Sequence, residues 1–115
     1  MYLCIVINTY MVVIFEQAYL QELFETGRTS DKKHRFQPEI IKRYQKRVEM
    51  LQAAPSAETL YQFNSLNFEA LIGDKSGIYS IRVNNKYRIE FTLAVDNEQP
   101  MITICNIVEL SNHYD

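Results

Sequence analysis

Cysteine is scarce in this chain, and neither copy has company. Cys4 and Cys105 lie near opposite ends, and neither has a second cysteine at C-x-x-C spacing. That excludes a disulfide framework and gives no sign of a zinc site. Two unpaired thiols suit a reducing compartment, so a cytoplasmic location is expected. Glycine and proline occur three times each, too few for a Gly/Pro-rich linker, and no internal repeat or low-complexity tract interrupts the chain. No Lys or Arg precedes Arg28 or follows Arg88. The opening MYLCIVINTYMVVIF has no charged side chain before Glu16, so it lacks the basic n-region of a signal peptide, and it also lacks the small residues of a cleavage site. Its fifteen residues are interrupted by Asn8 and Thr9 and fall short of the roughly 20 that cross a bilayer. No membrane partner is expected. Two readings of the start stay open. In one, Met11 is the natural start and residues 1–10 are an upstream extension of a domain spanning 11–115. In the other, residues 1–10 supply an additional edge strand.

What remains is the composition of an ordinary soluble domain with one core: 115 residues, 47% apolar and 23% charged. A net charge of −2 would argue against a nucleic-acid partner if charge were evenly spread. It is not. All twelve Lys and Arg lie between Arg28 and Arg88, while Glu90, Asp96, Glu98, Glu109 and Asp115 stand in a tail without bases. Such asymmetry, rather than the total, steers a polyanion. Arg28, Lys32, Lys33, Arg35, Lys42, Arg43, Lys46 and Arg47 fall within twenty positions, opposed only by Asp31 and Glu39. As a group they suit RNA phosphates; for any one of them a solvated helix face is an equal reading. His34 reads as a solvated loop residue, and Met50 and Met101 as core.

The order of elements follows from spacing. MVVIF is a short β-rich apolar run, read as a buried strand. Tyr19, Leu20, Leu23 and Phe24 recur at helical spacing between Gln17 and Thr26, with Gly27 as C-cap. RTSDKKHRFQ is a polar loop. Pro38 suits the first turn of a longer helix whose core stripe is Ile40, Ile41, Tyr44, Val48 and Leu51, with Glu39 able to pair with Arg43. Pro55 ends it, and SAETLYQF makes one or two more helical turns. Strands at Ile78–Val83, Tyr87–Leu93 and Met101–Val108 close the chain, the last two joined by the acidic turn VDNEQP. The class is α+β, ordered β-α-α-β-β-β, with a small antiparallel-dominated sheet against two helices.

Strand side chains alternate faces, so the pairing of the middle hairpin can be worked out. A two-residue loop at Asn84-Asn85 would set Ile81 against Arg88 and mix the faces. A three-residue loop, Asn84-Asn85-Lys86, pairs Val83 with Tyr87, Ile81 with Ile89 and Tyr79 with Phe91. The asparagines tolerate the left-handed backbone such a loop is expected to need. The other face then sets Ser80 across from Glu90 and Arg82 across from Arg88. Opposed like charges cost roughly 0.2–1 kcal/mol unless neutralised. Either Glu90 reaches diagonally to Arg82 on a merely solvated face, or the two guanidiniums converge on a phosphate, which their donor forks suit.

The stretch LNFEALIGDKSGIYSIRVNNKYRIEF resembles the central block of HigB-type toxins of the RelE/ParE superfamily. The matching positions are Leu71, Gly73, Asp74, Lys75, Gly77, Tyr79, Ser80, Ile81, Val83, Tyr87, Arg88, Ile89 and Phe91. Upstream, FEQAYLQELFETG and the basic helix fit the same layout, so the likeness spans residues 11–115. It implies a RelE/ParE-like fold and the toxin of a toxin–antitoxin pair. It further implies a metal-independent endoribonuclease that cuts mRNA in the ribosomal A site. The implied partners are the ribosome, mRNA and a HigA-like helix-turn-helix antitoxin, with operator DNA bound only through the antitoxin complex; no cofactor is implied. A gyrase-inhibiting ParE-like protein and a catalytically inactive, antitoxin-binding relative remain the alternatives.

Cleavage of this kind needs a base for the 2′-OH proton, an acid for the leaving 5′-oxygen, and positive charge on the phosphate. Arg88 corresponds to the family's strand arginine and is expected to stabilise that charge, with Arg82 and Lys75 holding substrate backbone and Lys86 near them. The terminal SNHYD offers His113, whose ordinary pKa suits proton transfer near neutrality, and Tyr114, which could transfer a proton or stack on a base. A solvated tail histidine is the plainer reading of His113. Some family members carry a basic residue just before the Gly-Asp of this block, where this chain has Glu69 and Ile72. Glu69 is either a compensating base or a surface partner of Lys75.

Overall fold

The computed structural model describes residues 10–95 and 102–112. Along the chain come β1 (Tyr10–Phe15), α1 (Ala18–Thr26), α2 (Pro38–Ala53), two 3₁₀ turns (Ala57–Gln62 and Asn64–Leu66) and β2 (Glu69–Ala70). A third 3₁₀ turn (Gly73–Lys75), β3 (Tyr79–Arg82), β4 (Tyr87–Val95) and β5 (Ile102–Asn112) complete it. The strands form one sheet in the order β1-β5-β4-β3-β2. β1 runs parallel to β5, with the two helices in the connection between them, and every other pairing is antiparallel. The α+β reading therefore holds, with one strand more than expected: β2 is only two residues long, too short to carry a periodic signal. Residues 1–9, the acidic turn after Val95, and His113 and Tyr114 lie outside the described residues. The proposed extension over 1–10 falls mostly there, although Tyr10 already belongs to β1.

The helices form where the apolar spacing put them. Tyr19, Leu20 and Leu23 are the buried face of α1, and Gly27 closes it in the left-handed region (φ 76°), its N–H donating to the Leu23 carbonyl. Pro38 sits in the first turn of α2, where its missing N–H leaves no helical bond unmade. Ile40, Tyr44, Val48 and Leu51 are buried, while Ile41 is half-buried. The Tyr44 hydroxyl donates to the Leu20 carbonyl at 2.7 Å and ties the helices together. Burial pushes its ionisation far above the ordinary tyrosine range. No salt bridge joins Glu39 to Arg43 among the described residues.

The expectation of a buried first strand is corrected. Met11 is buried, but Val12 and Ile14 are 39% and 45% exposed. Among the described residues β1 stands last in the sheet beside β5, and the helices cover one of its faces, so Val12 and Ile14 on the other face stay open despite the apolar run. The core lies where Leu20, Leu23, Tyr44, Val48, Leu51 and Leu66 meet Ile81, Ile89, Phe91 and Ile107 from the sheet. Each fully buried aliphatic side chain there is worth about 1.5–3 kcal/mol.

The middle hairpin has the register deduced from parity: Tyr79 pairs with Phe91, Ser80 with Glu90, Ile81 with Ile89 and Arg82 with Arg88. Its turn is built differently. Among the described residues the one non-glycine with positive φ is Asn67, not a loop asparagine. Asn84 instead closes the turn with its side chain, Oδ1 accepting from the Lys86 and Tyr87 amides at 2.9 and 2.8 Å. β5 runs four residues further than expected. That extension lays Ser111 beside Arg88 and Glu109 beside Glu90, with a bulge at Glu90/Phe91.

Candidate functional site

Glu69, Ser80, Arg82, Arg88 and Glu90 share one face of the sheet, because each is paired directly with another of the set. That face is not merely solvated, as one reading of the sequence held. Ser80, Arg88 and Glu90 are buried, Arg88 with 5% of its surface exposed. Its Nε donates to Ser80 Oγ at 2.8 Å, and its Nη2 donates to the Asn67 carbonyl at 2.7 Å. Glu69 Oε1 lies 3.7 Å from the same nitrogen. Asn67 caps a 3₁₀ turn in the left-handed conformation, which asparagine tolerates better than most side chains. The guanidinium is thus held in position by Ser80 and Asn67, with the Glu69 carboxylate beside it.

Among the described residues Lys75 does not pair with Glu69, nor Glu90 with Arg82, so one of the two alternatives falls in each case. Lys75 Nζ donates to both oxygens of Glu90, at 2.8 and 3.2 Å. The Glu90 carboxylate is nearly buried while Lys75 is half exposed, and the hydrogen bond to Glu90 holds the ammonium above its usual pKa. The physical reason is reach: the Lys75 side chain extends from its turn to Glu90 of β4, whereas Glu69 in β2 sits beside Arg88. A shallow hollow lined by Ile72, Lys75, Glu90, Glu109, Ser111 and Asn112 opens next to this ion pair. Ile72 stands 88% exposed at its rim.

Arg82 takes a different direction from Arg88. Its Nε donates to the Asn84 carbonyl at 3.3 Å and its guanidinium also donates to the Asn85 side chain. Its own carbonyl accepts from Arg47 Nε at 2.9 Å, so strand β3 is joined to the basic helix. Arg43, Arg47, Arg82 and Lys86 line one groove between α2 and the hairpin tip, with Glu39 as its acid. Burial, and then the nearby charges of Arg43 and Arg82, lower the Arg47 pKa. Lys42 and Lys46 extend the cationic strip along α2.

Arg28, Lys32, Lys33 and Arg35 are exposed on the loop between the helices. His34 in that loop is not a solvated residue: its ring stacks on Tyr19 at 3.6 Å and 5° between planes, and its Nδ1 is 2.9 Å from Asp31. Hydrogen bonding to His34 holds the Asp31 carboxyl below its ordinary pKa. Among the described residues no three His, Cys, Asp or Glu side chains cluster where they could hold a metal. His113 and Tyr114 lie outside the described residues. Two residues that sequence reasoning passed over are Ser80, matched in the motif without a role, and Asn67, which carries no pattern at all.

The profile of RelE-like toxins of the type II toxin–antitoxin system HigB matches residues 13–103. The chain belongs to that family. No curated protein matches it. Among the solved structures that share the fold of this HigB-like toxin are the following two. A YoeB/ParE toxin from Agrobacterium tumefaciens is 13% identical with a TM-score of 0.55, over 89% of this chain and 98% of that one. A YoeB–YefM complex from Staphylococcus aureus is 16% identical with a TM-score of 0.51, over 90% and 98%. At such identity the likeness speaks for the fold, while the chemistry of the HigB-like toxin rests on its own side chains.

Proposed function

We propose that this HigB-like toxin is a ribosome-dependent endoribonuclease that acts in the cytoplasm and halts translation by cutting mRNA. The substrate's 2′-oxygen attacks the adjacent phosphorus, the bond from phosphorus to the 5′-oxygen breaks, and a 2′,3′-cyclic phosphate and a 5′-hydroxyl result. Glu69, half exposed beside Arg88, takes the 2′-OH proton, and His113 or Tyr114 returns one to the leaving oxygen. Arg88 neutralises the charge that builds on the phosphate, a donor whose loss typically costs ~10²–10³ in rate. The strip on α2 and the groove with Arg82 and Lys86 hold RNA phosphates. A HigA-like helix-turn-helix antitoxin binds the toxin, and the pair together bind operator DNA. The observation that carries this reading is the guanidinium of Arg88, held by Ser80 and Asn67 with a carboxylate 3.7 Å away.

One observation favours a second reading. With 5% of its surface exposed and a carboxylate at its side, Arg88 also has the features of a structural arginine, as in a catalytically inactive relative that still binds an antitoxin. Induced expression followed by primer extension on a translated mRNA separates the two. Cuts inside the reading frame that vanish in Arg88→Ala support the nuclease. Intact mRNA without toxicity supports the inactive relative, and intact mRNA with DNA-damage induction supports a gyrase inhibitor.

A further inference from the structure

At the C-terminal end of α2 the surface changes character. Met50, Ala53, Pro55, Leu60, Phe63 and Leu66 line a groove between the helix and the two 3₁₀ turns that follow it. Its polar liner is Thr59, whose hydroxyl is already used by the Ser56 backbone in the capping box of the first turn. Phe63 is 49% exposed at the rim. A groove whose lining side chains offer no free donor or acceptor suits an aliphatic or aromatic side chain. It suits a nucleobase poorly, because the polar edges of the base would be left unpaired.

The groove does not stand alone. Arg43, Arg47 and Met50 follow at i, i+4 and i+7, so they lie along one face of α2, and Ala53 and the capping Ala54 continue from it into the groove. Arg47 Nη1 is 3.3 Å from Met50 Sδ, which joins the cationic strip to the apolar groove without a gap. The strip and groove together run about 16 Å at 1.5 Å per residue, the length of three helical turns. Lys42, Arg43, Lys46 and Arg47 are opposed there by Glu39 alone. An occupant complementary to both parts carries apolar anchors at one end and carboxylates along the next turns.

We propose that this surface is the docking site for an acidic amphipathic segment of the antitoxin, its apolar anchors seated beside Phe63 and its carboxylates on Lys46 and Arg47. This rests on the toxin–antitoxin reading and extends it to regulation, because the segment covers cations assigned above to RNA. Antitoxin and RNA then exclude one another on α2, whatever happens at Arg88.

The test is calorimetric titration of the purified toxin with the antitoxin that co-purifies with it, using Ala53→Glu, Phe63→Ser and Lys46→Glu. Ala53 and Phe63 are exposed, and thermal unfolding checks that each variant keeps its fold. Ala53→Glu and Phe63→Ser are expected to weaken antitoxin about tenfold to a hundredfold, the usual loss at a well-packed anchor. Binding of a labelled 20-nucleotide RNA should stay within about twofold in both. Lys46→Glu is expected to weaken both ligands, and antitoxin should displace the RNA from the parent. If both groove variants bind antitoxin within about twofold of the parent, the proposal falls. Loss of RNA binding with antitoxin binding intact overturns it too and assigns the groove to nucleic acid. Neither titration involves cleavage, so a toxin that cuts no mRNA but loses antitoxin in Ala53→Glu would sink the nuclease reading alone.

Discussion

Replacing Arg88 by alanine removes two things at once, and their sizes can be worked out separately. The side chain is 5% exposed and donates to Ser80 Oγ and the Asn67 carbonyl. Ser80 is fully buried, so its hydroxyl keeps the desolvation penalty when the donor goes, about 1–3 kcal/mol. Asn67 is exposed and water can replace the lost bond there at less cost. A total of about 2–4 kcal/mol is a large part of the ~5–15 kcal/mol that holds a domain of this size. It should lower Tm by on the order of 10 °C. Ser80→Ala removes one acceptor and leaves the charge in place, so it should cost about 1–2 kcal/mol. If Arg88 stabilises the transition state, folded Arg88→Ala should cut ~10²–10³ more slowly, while Ser80→Ala loses far less. Circular-dichroism melts and single-turnover cleavage of a ribosome-bound message supply the two readouts. A folded Arg88→Ala protein that cuts at the parental rate refutes the catalytic assignment. One that melts with the parent refutes the packing argument.

Other expectations are simpler. Lys75→Met leaves the nearly buried Glu90 carboxylate without its ammonium and should cost about 1–3 kcal/mol, largely restored by adding Glu90→Gln; urea denaturation measures both. The Lys75 pKa is raised above 10.5, so the pair's contribution is complete below that pH and is lost as pH rises beyond it, which alkaline melts of the parent against Lys75→Met should reveal. The Asp31 pKa is lowered from 3.8, so its tie to His34 persists above pH 3.8 and loosens as pH falls through the depressed value. The Tyr19 ring resonances, which sense the stacked His34, should then shift in acid but not in Asp31→Asn. Cys105 is buried with its thiol pushed up to about 12, so the peptide carrying it should resist alkylation at pH 8 until the protein is unfolded; modification of the native protein would contradict its burial.

Much of this architecture could be read from the sequence because the signals were local. Two helices announced themselves through apolar spacing, a proline at one start and a glycine at one end. The hairpin register followed from the rule that one strand face must be apolar, which the loop Asn84-Asn85-Lys86 meets by pairing Ile81 with Ile89 and Tyr79 with Phe91. What escaped depends on distance. Which side of MVVIF is covered is decided by its pairing with β5, some ninety residues later, and by the helices that pack on one face. Which carboxylate Lys75 chooses depends on where the turn at Gly73–Lys75 sends its side chain, to Glu90 of β4, and no spacing rule encodes that. His34 looked solvated because its partner Tyr19 belongs to a different element. Arg88 was visible as a residue in a motif, whereas its framework was not: Ser80 stood in the same motif without a role, and the Asn67 carbonyl carries no pattern of its own.

The opposed arginines show how a local conflict is relieved. Two guanidiniums across a ladder would repel by roughly 0.2–1 kcal/mol, and the fold separates them by giving each its own polar frame. Arg88 turns to Ser80, Asn67 and Glu69, while Arg82 turns to the hairpin tip and the groove with Arg43, Arg47 and Lys86. If both touch RNA, geometry therefore assigns them to different phosphates, Arg88 to the one that reacts and Arg82 to a neighbour. A double-mutant cycle on cleavage distinguishes this from convergence on one phosphate. Separate phosphates predict that the rate losses of Arg82→Ala and Arg88→Ala multiply, with a coupling energy below about 0.5 kcal/mol. Arg82→Ala should then raise KM with little change in kcat, and Arg88→Ala should lower kcat. A coupling well above that limit, with both substitutions acting on kcat, would mean the side chains swing together when RNA binds and would overturn this division of labour.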